Sequence, residues 1–465
     1  MSEPVYDLIS LGSGPGGNAA AQQVAHRGGR SCVIERKHLG GTCLNVGCMP
    51  TKALLAAGDA AWSMQHTETL GIEPGAGRVN GPAVMKRVHH VVQTLRSAME
   101  EKMAGLGRVD VVRGTARLLD RHTVQVTHPS GTTQNLRGEN LCIATGARAI
   151  CPDVVDWNSP RMLTSEEALG LDDLPGSLVV MGGGIIGCEF ATAYAELGVR
   201  VTVLEMFDRL VPMLAGEASS AAAALLAEGD VEIVTGQKVV AETDAAGAVR
   251  AELDDQRSFL AERCLVSVGR AANVEGIGLD AVGLSPTEEG FLEVDERCRT
   301  AVEGIYAVGD VAENRQYAHL AGRMGEVAGD NAMGVETADD RTVVPSPVFT
   351  HPQIGSVGLS EDQARRQYGE PVVLQYDYSS SGVGLLYNRP EGQLKLIAEP
   401  DTHRLLGALW ICRDGVELLH EIALAIRNGL TIEDVYRTIH AHPCFAESLR
   451  TATERWLAGQ ADDAS

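Results

Sequence analysis

Apolar residues in this chain gather into short unbroken runs that close on glycine, and twice the run, the glycines and the following segment repeat one pattern. Val5-Tyr6-Asp7-Leu8-Ile9-Ser10-Leu11 predicts a buried strand running straight into Gly12-Ser13-Gly14-Pro15-Gly16-Gly17. Asn18 to Arg27, rich in Ala and Gln, predicts a helix, and Ser31 to Ile34 predicts a second strand ending in Glu35. The pattern returns with Ser177 to Met181, then Gly182-Gly183-Gly184-Ile185-Ile186-Gly187, a helix over Cys188 to Leu197, and a strand over Val199 to Leu204 that ends in Glu205. Strand, GxGxxG, helix and an acid about twenty residues on make up the dinucleotide fingerprint. Gly12 and Gly182 take the tight turn, Gly14 and Gly184 let a pyrophosphate approach, Gly17 and Gly187 pack helix on strand, and Glu35 and Glu205 hold a ribose hydroxyl. Both copies keep the full set, which favours two bound dinucleotides over one domain duplicated with a silent copy. A carboxylate at Glu205 repels a 2′-phosphate, so the second copy points to NAD rather than NADP, with Arg209 weakening this slightly.

The remaining runs extend this organisation. Leu141 to Gly146 predicts a short strand and turn after the first copy, and Leu265 to Arg270 its counterpart after the second. Alternation near Val109 to Val126 predicts a small β-meander inserted in the first nucleotide domain, and residues 80 to 106 predict a helix whose Met, Val and Leu stripe belongs to a core. Gly304 to Asp310 predicts a buried strand closing on an Asp. After Pro345-Ser346-Pro347 the pattern changes to strands at Val372 to Tyr378, Leu394 to Ala398 and Leu405 to Cys412, with helices at Glu417 to Asn428 and from Ile432, an α+β domain of about 120 residues. The tail from Ala458 is expected to be disordered. At 465 residues the chain calls for two to four domains.

Charge and cysteine usage narrow the function. A net charge of −23 argues against nucleic acid and anionic membranes as partners. No run of eighteen apolar residues occurs and the first apolar segment already starts at Val5, so the expectation is an untargeted cytoplasmic protein. Ten cysteines with only one close pair suit a reducing compartment.

That pair, Cys43 and Cys48, lies in Gly40-Gly41-Thr42-Cys43-Leu44-Asn45-Val46-Gly47-Cys48-Met49-Pro50-Thr51-Lys52. Residues five apart in a regular helix sit roughly 8 Å apart on different faces, so the two cannot share one and still meet. Cys43 in a glycine-rich loop and Cys48 at a helix start, where Pro50 is tolerated and the N-terminus favours a thiolate, is the workable arrangement. Two buried free cysteines or half a zinc site are the alternatives. Zinc would want a second Cys/His pair, which the next sixty residues lack, so no metal is expected. A redox-active dithiol fits better, given an electron source in the same chain. A second candidate is His440-Ala441-His442-Pro443-Cys444-Phe445-Ala446-Glu447, where His442 oriented by Glu447 forms an acid/base unit as readily as a helix-capping histidine pair beside an exposed Glu.

Together these motifs, the Gly-Gly-Thr-Cys-Leu-Asn-Val-Gly-Cys-x-Pro-x-Lys stretch above all, with Gly309-Asp310 and His440-Ala441-His442-Pro443, resemble the pyridine nucleotide-disulfide oxidoreductases, most closely the branch that oxidises dihydrolipoamide. The likeness runs from about Tyr6 to Trp456. It implies an α/β fold with two Rossmann-like dinucleotide-binding domains and a C-terminal α+β dimerisation domain: residues 1–149 binding FAD, 150–273 binding NAD, 274–345 completing the FAD site and 346–465 forming the interface. Asp310 would hold the flavin ribitol, with Thr145 and Gly146 also on the FAD side and Gly269 on the NAD side. The resemblance further implies a Cys43–Cys48 disulfide, with Cys48 as the flavin-side thiol and Cys43 as the interchange thiol. Lys52 and Glu189 would form an ion pair beside the flavin, and His442, oriented by Glu447, would act from the other subunit of a homodimer. A lipoyl-bearing carrier protein or multienzyme complex is the implied partner. Two departures, Cys444 in place of Thr and Arg315-Gln316-Tyr317 in place of Pro-Met-Leu, bear on the substrate more than on the chemistry. A related reductase with another disulfide or metal substrate, or an electron-carrier flavoprotein with a regulatory dithiol, is the alternative.

Overall fold

The computed structural model describes residues 5–75, 77–245 and 247–463. The apolar run Val5–Leu11 becomes a central parallel strand of a seven-stranded sheet, flanked by Ser31–Glu35 and Thr133–Ile143, with Val109–Arg113 parallel outside Ser31–Glu35. Beyond Thr133–Ile143 the sheet turns antiparallel through Thr123–Thr127 and Thr115–Asp120. The expected meander is therefore not a separate insertion. The 11-residue strand Thr133–Ile143 serves both the hairpins and, through Leu141–Ile143, the nucleotide sheet, so the short strand expected at Leu141 is the end of a long one. Ile305–Ala307 pairs parallel with Leu141–Ile143 and carries Asp310, in the turn Gly309–Val311, to the edge where the first glycine loop lies. The helices Pro15–His26 and Ala318–Ala332 cross at backbone contact, since a Cβ on Gly325 would lie 2.1 Å from the Gly16 carbonyl oxygen.

The second copy of the pattern forms a five-stranded parallel sheet in the order Glu232–Val234, Arg200–Leu204, Ser177–Met181, Arg263–Val266, Met162–Leu163, with an antiparallel sheet of Val239–Ala245, Ala248–Leu253 and Ser258–Ala261 beside it. Two short antiparallel strands, Ala147–Ala149 and Arg270–Ala272, join the two nucleotide-binding parts. The C-terminal part is a five-stranded antiparallel sheet from Ser346 to Cys412, on which Leu419 and Ile422 of the helix Gly415–Arg427 pack around Trp410. The helix expected from Ile432 is short, ending at Arg437, and the chain runs irregularly past His442 before a final helix, Glu447–Asp463. That helix covers residues through Asp463 where disorder was expected from Ala458, the last two residues of that tail lying outside the described ones; Leu449 and Ala452 are buried in the core of this domain and anchor its first turns. No helix among the described residues is long and apolar enough to cross a membrane.

One charged group is buried away from any cleft. Glu242, 1 % exposed, lies against the second parallel sheet among apolar side chains, where it accepts a hydrogen bond from the Cys264 thiol at 2.9 Å while its second oxygen has no partner among the described residues. Burial pushes this carboxyl from 4.5 to about 7, with the thiol bond opposing. A carboxyl raised by folding stabilises the protein fully below its unfolded value and loses that contribution as pH rises through the folded one. Between pH 4.5 and 7 wild type should therefore lose about 3 kcal/mol relative to Glu242→Gln, which keeps the thiol hydrogen bond. Urea unfolding of both proteins across that window checks it, and parallel pH profiles would contradict it.

Candidate functional site

The two glycine loops share one geometry. Gly12 (φ +113°) and Gly182 (φ +104°) turn the chain where a Cβ would lie 2.3 Å from the Ala144 oxygen and 2.6 Å from the Ser267 oxygen. Gly17 and Gly187 sit so close to the loop that a Cβ would meet the Gly12 and Gly182 oxygens at 2.1 and 2.0 Å. The acids behave alike too. Glu35 accepts from the Ser13 amide and hydroxyl (3.1 and 2.6 Å) and from the Lys37 amide (2.7 Å), and Glu205 accepts from the Gly183 (2.6 Å) and Phe207 (2.8 Å) amides. Each carboxylate thus braces its own glycine loop, a second use of this residue that the spacing alone does not reveal.

A cleft of about 2070 Å³ runs between the three parts of the molecule. Gly14, Gly17, Cys43, Cys48, Lys52, Gly146, Gly182, Gly184, Glu189, Glu205, Gly269 and Asp310 line it; Gly12, Glu35, Thr145 and Gly187 stand behind its wall. Thr145 ties the two nucleotide-binding parts together, its hydroxyl donating to the Asn273 carbonyl at 2.7 Å. His442 and Glu447 lie elsewhere, on the C-terminal part, with Glu447 Oε1 2.8 Å from His442 Nδ1 and Glu447 Oε2 accepting the Cys444 amide at 2.8 Å. The His442 side chain is 83 % exposed. Against a burial penalty that pushes it up, the Cys444 amide and His442 hold the Glu447 carboxyl below its ordinary value.

The dithiol sits where two helices break. Cys43 lies not in a loop but in a short helix, Gly41–Val46, and Cys48 opens the next, Cys48–Gln65. Gly47, at φ −141° and ψ −113°, is non-helical and folds the first helix back on the second so that the thiols meet. Asn45 secures the turn by donating to the Leu39 and Gly41 carbonyls (2.9 and 2.8 Å), and Arg96 donates to its side-chain oxygen at 2.8 Å. Gly41 packs on the first nucleotide loop, 2.6 Å from the Gly14 Cα for an added Cβ, so the dithiol borders the cleft. Sequence reasoning missed Asn45 and Arg96; an amide inside the cysteine motif was the available signal for the first.

Electrostatics make the two sulfurs unequal. The Cys43 thiol lies against the Cys48 sulfur, and this contact together with Lys52 pulls Cys48 down to about 7 against burial and Glu189; the same contact pushes Cys43 up. Lys52 Nζ is 2.7 Å from Glu189 Oε2, with the Glu189 side chain 5 % exposed, and lies 4.4 Å from the centre of the Phe349 ring. The Phe349 amide donates to Glu189 Oε1 at 3.2 Å, so all three parts of the chain hold this ion pair. Phe349 was not anticipated from sequence. Asp310 faces the cleft half-buried, with no side-chain hydrogen-bond partner among the described residues, and burial pushes its carboxyl up while Arg270 and its own backbone amide oppose. An unspent carboxyl beside an open glycine loop fits the hydroxyls and pyrophosphate of FAD.

A thiolate-forming dithiol in the wall of a cleft served by two dinucleotide loops defines a flavin-linked disulfide oxidoreductase. Sequence comparison agrees. A family described as pyridine nucleotide-disulphide oxidoreductase matches residues 6–325, and its dimerisation domain matches residues 344–453. Dihydrolipoyl dehydrogenase 2 of Haloarcula marismortui is 35 % identical over 452 residues, covering 96 % of this chain and 95 % of that protein. The dihydrolipoyl dehydrogenase of Geobacillus stearothermophilus is 34 % identical over 452 residues, with the same coverage. Among solved structures, LpdA of Mycobacterium tuberculosis superposes with a TM-score of 0.91 at 26 % identity, and the HOCl-induced flavoprotein disulfide reductase RclA of Escherichia coli, as its Cu(II) complex, with 0.87 at 27 %, each covering 97 % of this chain and 99 % of the other. The chain belongs to the pyridine nucleotide-disulphide oxidoreductases.

In the reduced protein, the first thiol ionisation should fall near 7 and belong to Cys48. Thiolate ultraviolet absorbance followed against pH should lose this step in Cys48→Ser and show it at higher pH in Lys52→Met. An unmoved step in Lys52→Met would rule out the ammonium as its cause.

Proposed function

We propose that the protein is a homodimeric, cytoplasmic NAD-dependent dihydrolipoamide dehydrogenase that oxidises dihydrolipoamide carried by a lipoyl-bearing protein or multienzyme complex. The observation that carries this reading is the Cys48 sulfur, poised to ionise against Cys43 beside Lys52, in the wall of a cleft that also holds both nucleotide loops. FAD, when bound, supplies the two-electron link between dithiol and nicotinamide. Gly14, Gly17, Gly146 and Asp310 hold it, with Gly12, Glu35 and Thr145 shaping the loops behind; Gly182, Gly184, Gly187, Glu205 and Gly269 serve NAD. Residues 1–149, 150–273, 274–345 and 346–465 divide these tasks as FAD, NAD, central and interface domains.

The exchange balances as follows. His442, held by Glu447, takes a proton from a substrate thiol; the thiolate attacks Cys43 of the Cys43–Cys48 disulfide, and Cys48 leaves as a thiolate stabilised by Lys52. The second substrate thiol displaces Cys43 and passes its proton to that departing sulfur, which completes the lipoyl disulfide and leaves the Cys43–Cys48 dithiol reduced; FAD, when bound, would supply the acceptor for the dithiol's electron pair on its way to NAD⁺. His442 does not line the cleft of its own chain, which suits a base supplied by the partner copy. A related reductase with another disulfide substrate is the second reading, favoured by Tyr317, which lines the cleft and stacks on His319 with ring centroids 5.2 Å apart.

With FAD-loaded protein, dihydrolipoamide should be oxidised with NAD⁺ and only feebly with NADP⁺, since a 2′-phosphate would lie against Glu205; the like charge costs several kcal/mol, roughly, in a partly buried site. Steady-state kinetics decide it. Absence of turnover with dihydrolipoamide while NADH still reduces an artificial electron acceptor would transfer the assignment to the second reading, and equal use of NADP⁺ would remove the role given to Glu205.

A further inference from the structure

His442 is exposed and, among the described residues, meets one hydrogen-bond partner, Glu447, so the imidazole can be no better placed than the backbone that carries both residues. His440 lies two residues away, with its Nε2 3.2 Å from Glu421 Oε1. What anchors the backbone is Phe445. Its ring lies between Tyr378 (centroids 5.5 Å) and Tyr387 (6.2 Å), and its carbonyl is reached by a buried hydrogen-bond chain. Trp410 Nε1 is 2.8 Å from Tyr378 Oη; Tyr378 Oη is 2.8 Å from Ser448 Oγ and 3.0 Å from the Phe445 oxygen; Ser448 Oγ is 2.8 Å from that same oxygen. The direction of this chain is fixed. An indole N–H can only donate and a carbonyl can only accept, so Tyr378 must accept from Trp410 and pass its own proton toward Ser448 or Phe445. Trp410 and Tyr378 are 0 % exposed and Ser448 2 %, so no water competes for these bonds.

We infer that Tyr378 is a positioning residue for the acid/base pair, acting through the Phe445 carbonyl to set where His442 and Glu447 point. The inference rests on the acid/base role given to His442 above and goes beyond it by naming what holds that role in place. Three different segments supply the chain: Tyr378 follows the strand Val372–Asp377, Trp410 lies in Leu405–Cys412, and Ser448 sits in the first turn of the final helix. The core of the C-terminal part is thereby coupled to a surface turn that has no other buried anchor between His442 and Glu447. Buried hydrogen-bond chains of this kind constrain geometry because no water can replace a partner that moves away.

The test compares wild type, His442→Gln, Tyr378→Phe and Ser448→Ala as FAD-loaded full-length proteins. Tyr378→Phe keeps the ring packing and removes only the hydroxyl. NADH-dependent reduction of ferricyanide, which needs flavin and nicotinamide but no thiol base, serves as the internal control. Oxidation of dihydrolipoamide with NAD⁺ across the neutral pH range reads the base. Tyr378→Phe should lose roughly ten- to a hundredfold in kcat for dihydrolipoamide, with ferricyanide turnover and the KM for NAD⁺ unchanged. The pH profile for dihydrolipoamide should change in Tyr378→Phe in the same limb that His442→Gln alters, with the ferricyanide profile unmoved. Ser448→Ala should show the same pattern more weakly and stands in if Tyr378→Phe does not fold. An unchanged kcat and pH profile in both variants, or an equal fall in both activities, overturns the inference. Full dihydrolipoamide activity in His442→Gln instead overturns the acid/base reading beneath it.

Discussion

The contact between the Cys43 and Cys48 thiols exists because the helical backbone breaks at Gly47. A continuous helix would hold the two sulfurs on different faces, unable to exchange a proton or form a bond. With the break, one thiol lies against the other and an ammonium adds its field, so a single sulfur is prepared to carry negative charge near neutrality. Everything around the break serves to keep it: Asn45 ties the short helix back to Leu39 and Gly41, Arg96 fixes Asn45, and Gly41 lets the turn rest on the first nucleotide loop. The Lys52–Glu189 pair then locks the dithiol to the second nucleotide fold and, through the Phe349 amide, to the C-terminal part. A mostly buried ion pair is costly to assemble, and its value here is to hold three parts of the chain and one thiolate in a single geometry.

The chain holds its chemistry in two places. Electron-transfer groups gather in the cleft, whereas His442 and Glu447 stand on an exposed turn of the C-terminal part. That turn owes its shape to buried neighbours, Phe445 and the hydrogen-bonded Tyr378, Trp410 and Ser448. His442 thus faces outward on a part of the chain that matches a dimerisation domain, which is the placement the proposed function requires of a base that serves a partner's cleft.

Much of this was legible in the sequence because the strongest signals were local. Each fingerprint is a strand, three glycines and an acid within one βαβ unit, and the strands at Val5–Leu11, Ser31–Glu35 and Ser177–Met181 lie where the apolar runs put them. The spacing of Cys43 and Cys48 demanded a break between them, although a short helix around Cys43 stood where a loop was expected. Long-range features were not legible. Nothing local says that Thr133–Ile143 is shared between hairpins and the nucleotide sheet, or that the Phe349 amide closes the Lys52–Glu189 pair from 160 residues away. The polar ending near Ala458 suggested disorder because composition ignores the apolar turns before it, which seat Leu449 and Ala452 in the core.

The central claim is that dithiol and base act together from different chains. Subunits carrying Cys48→Ser and subunits carrying His442→Gln, each nearly inactive alone with dihydrolipoamide, should be dissociated, mixed and reassociated, with subunit exchange confirmed by a tag. In a mixed dimer one site joins an intact dithiol to an intact His442 and the other collects both defects. With random pairing about half the dimers are mixed, so roughly a quarter of wild-type activity should return. If each His442 served the dithiol of its own chain, every site would carry one defect, and confirmed exchange with no recovered activity would contradict the account.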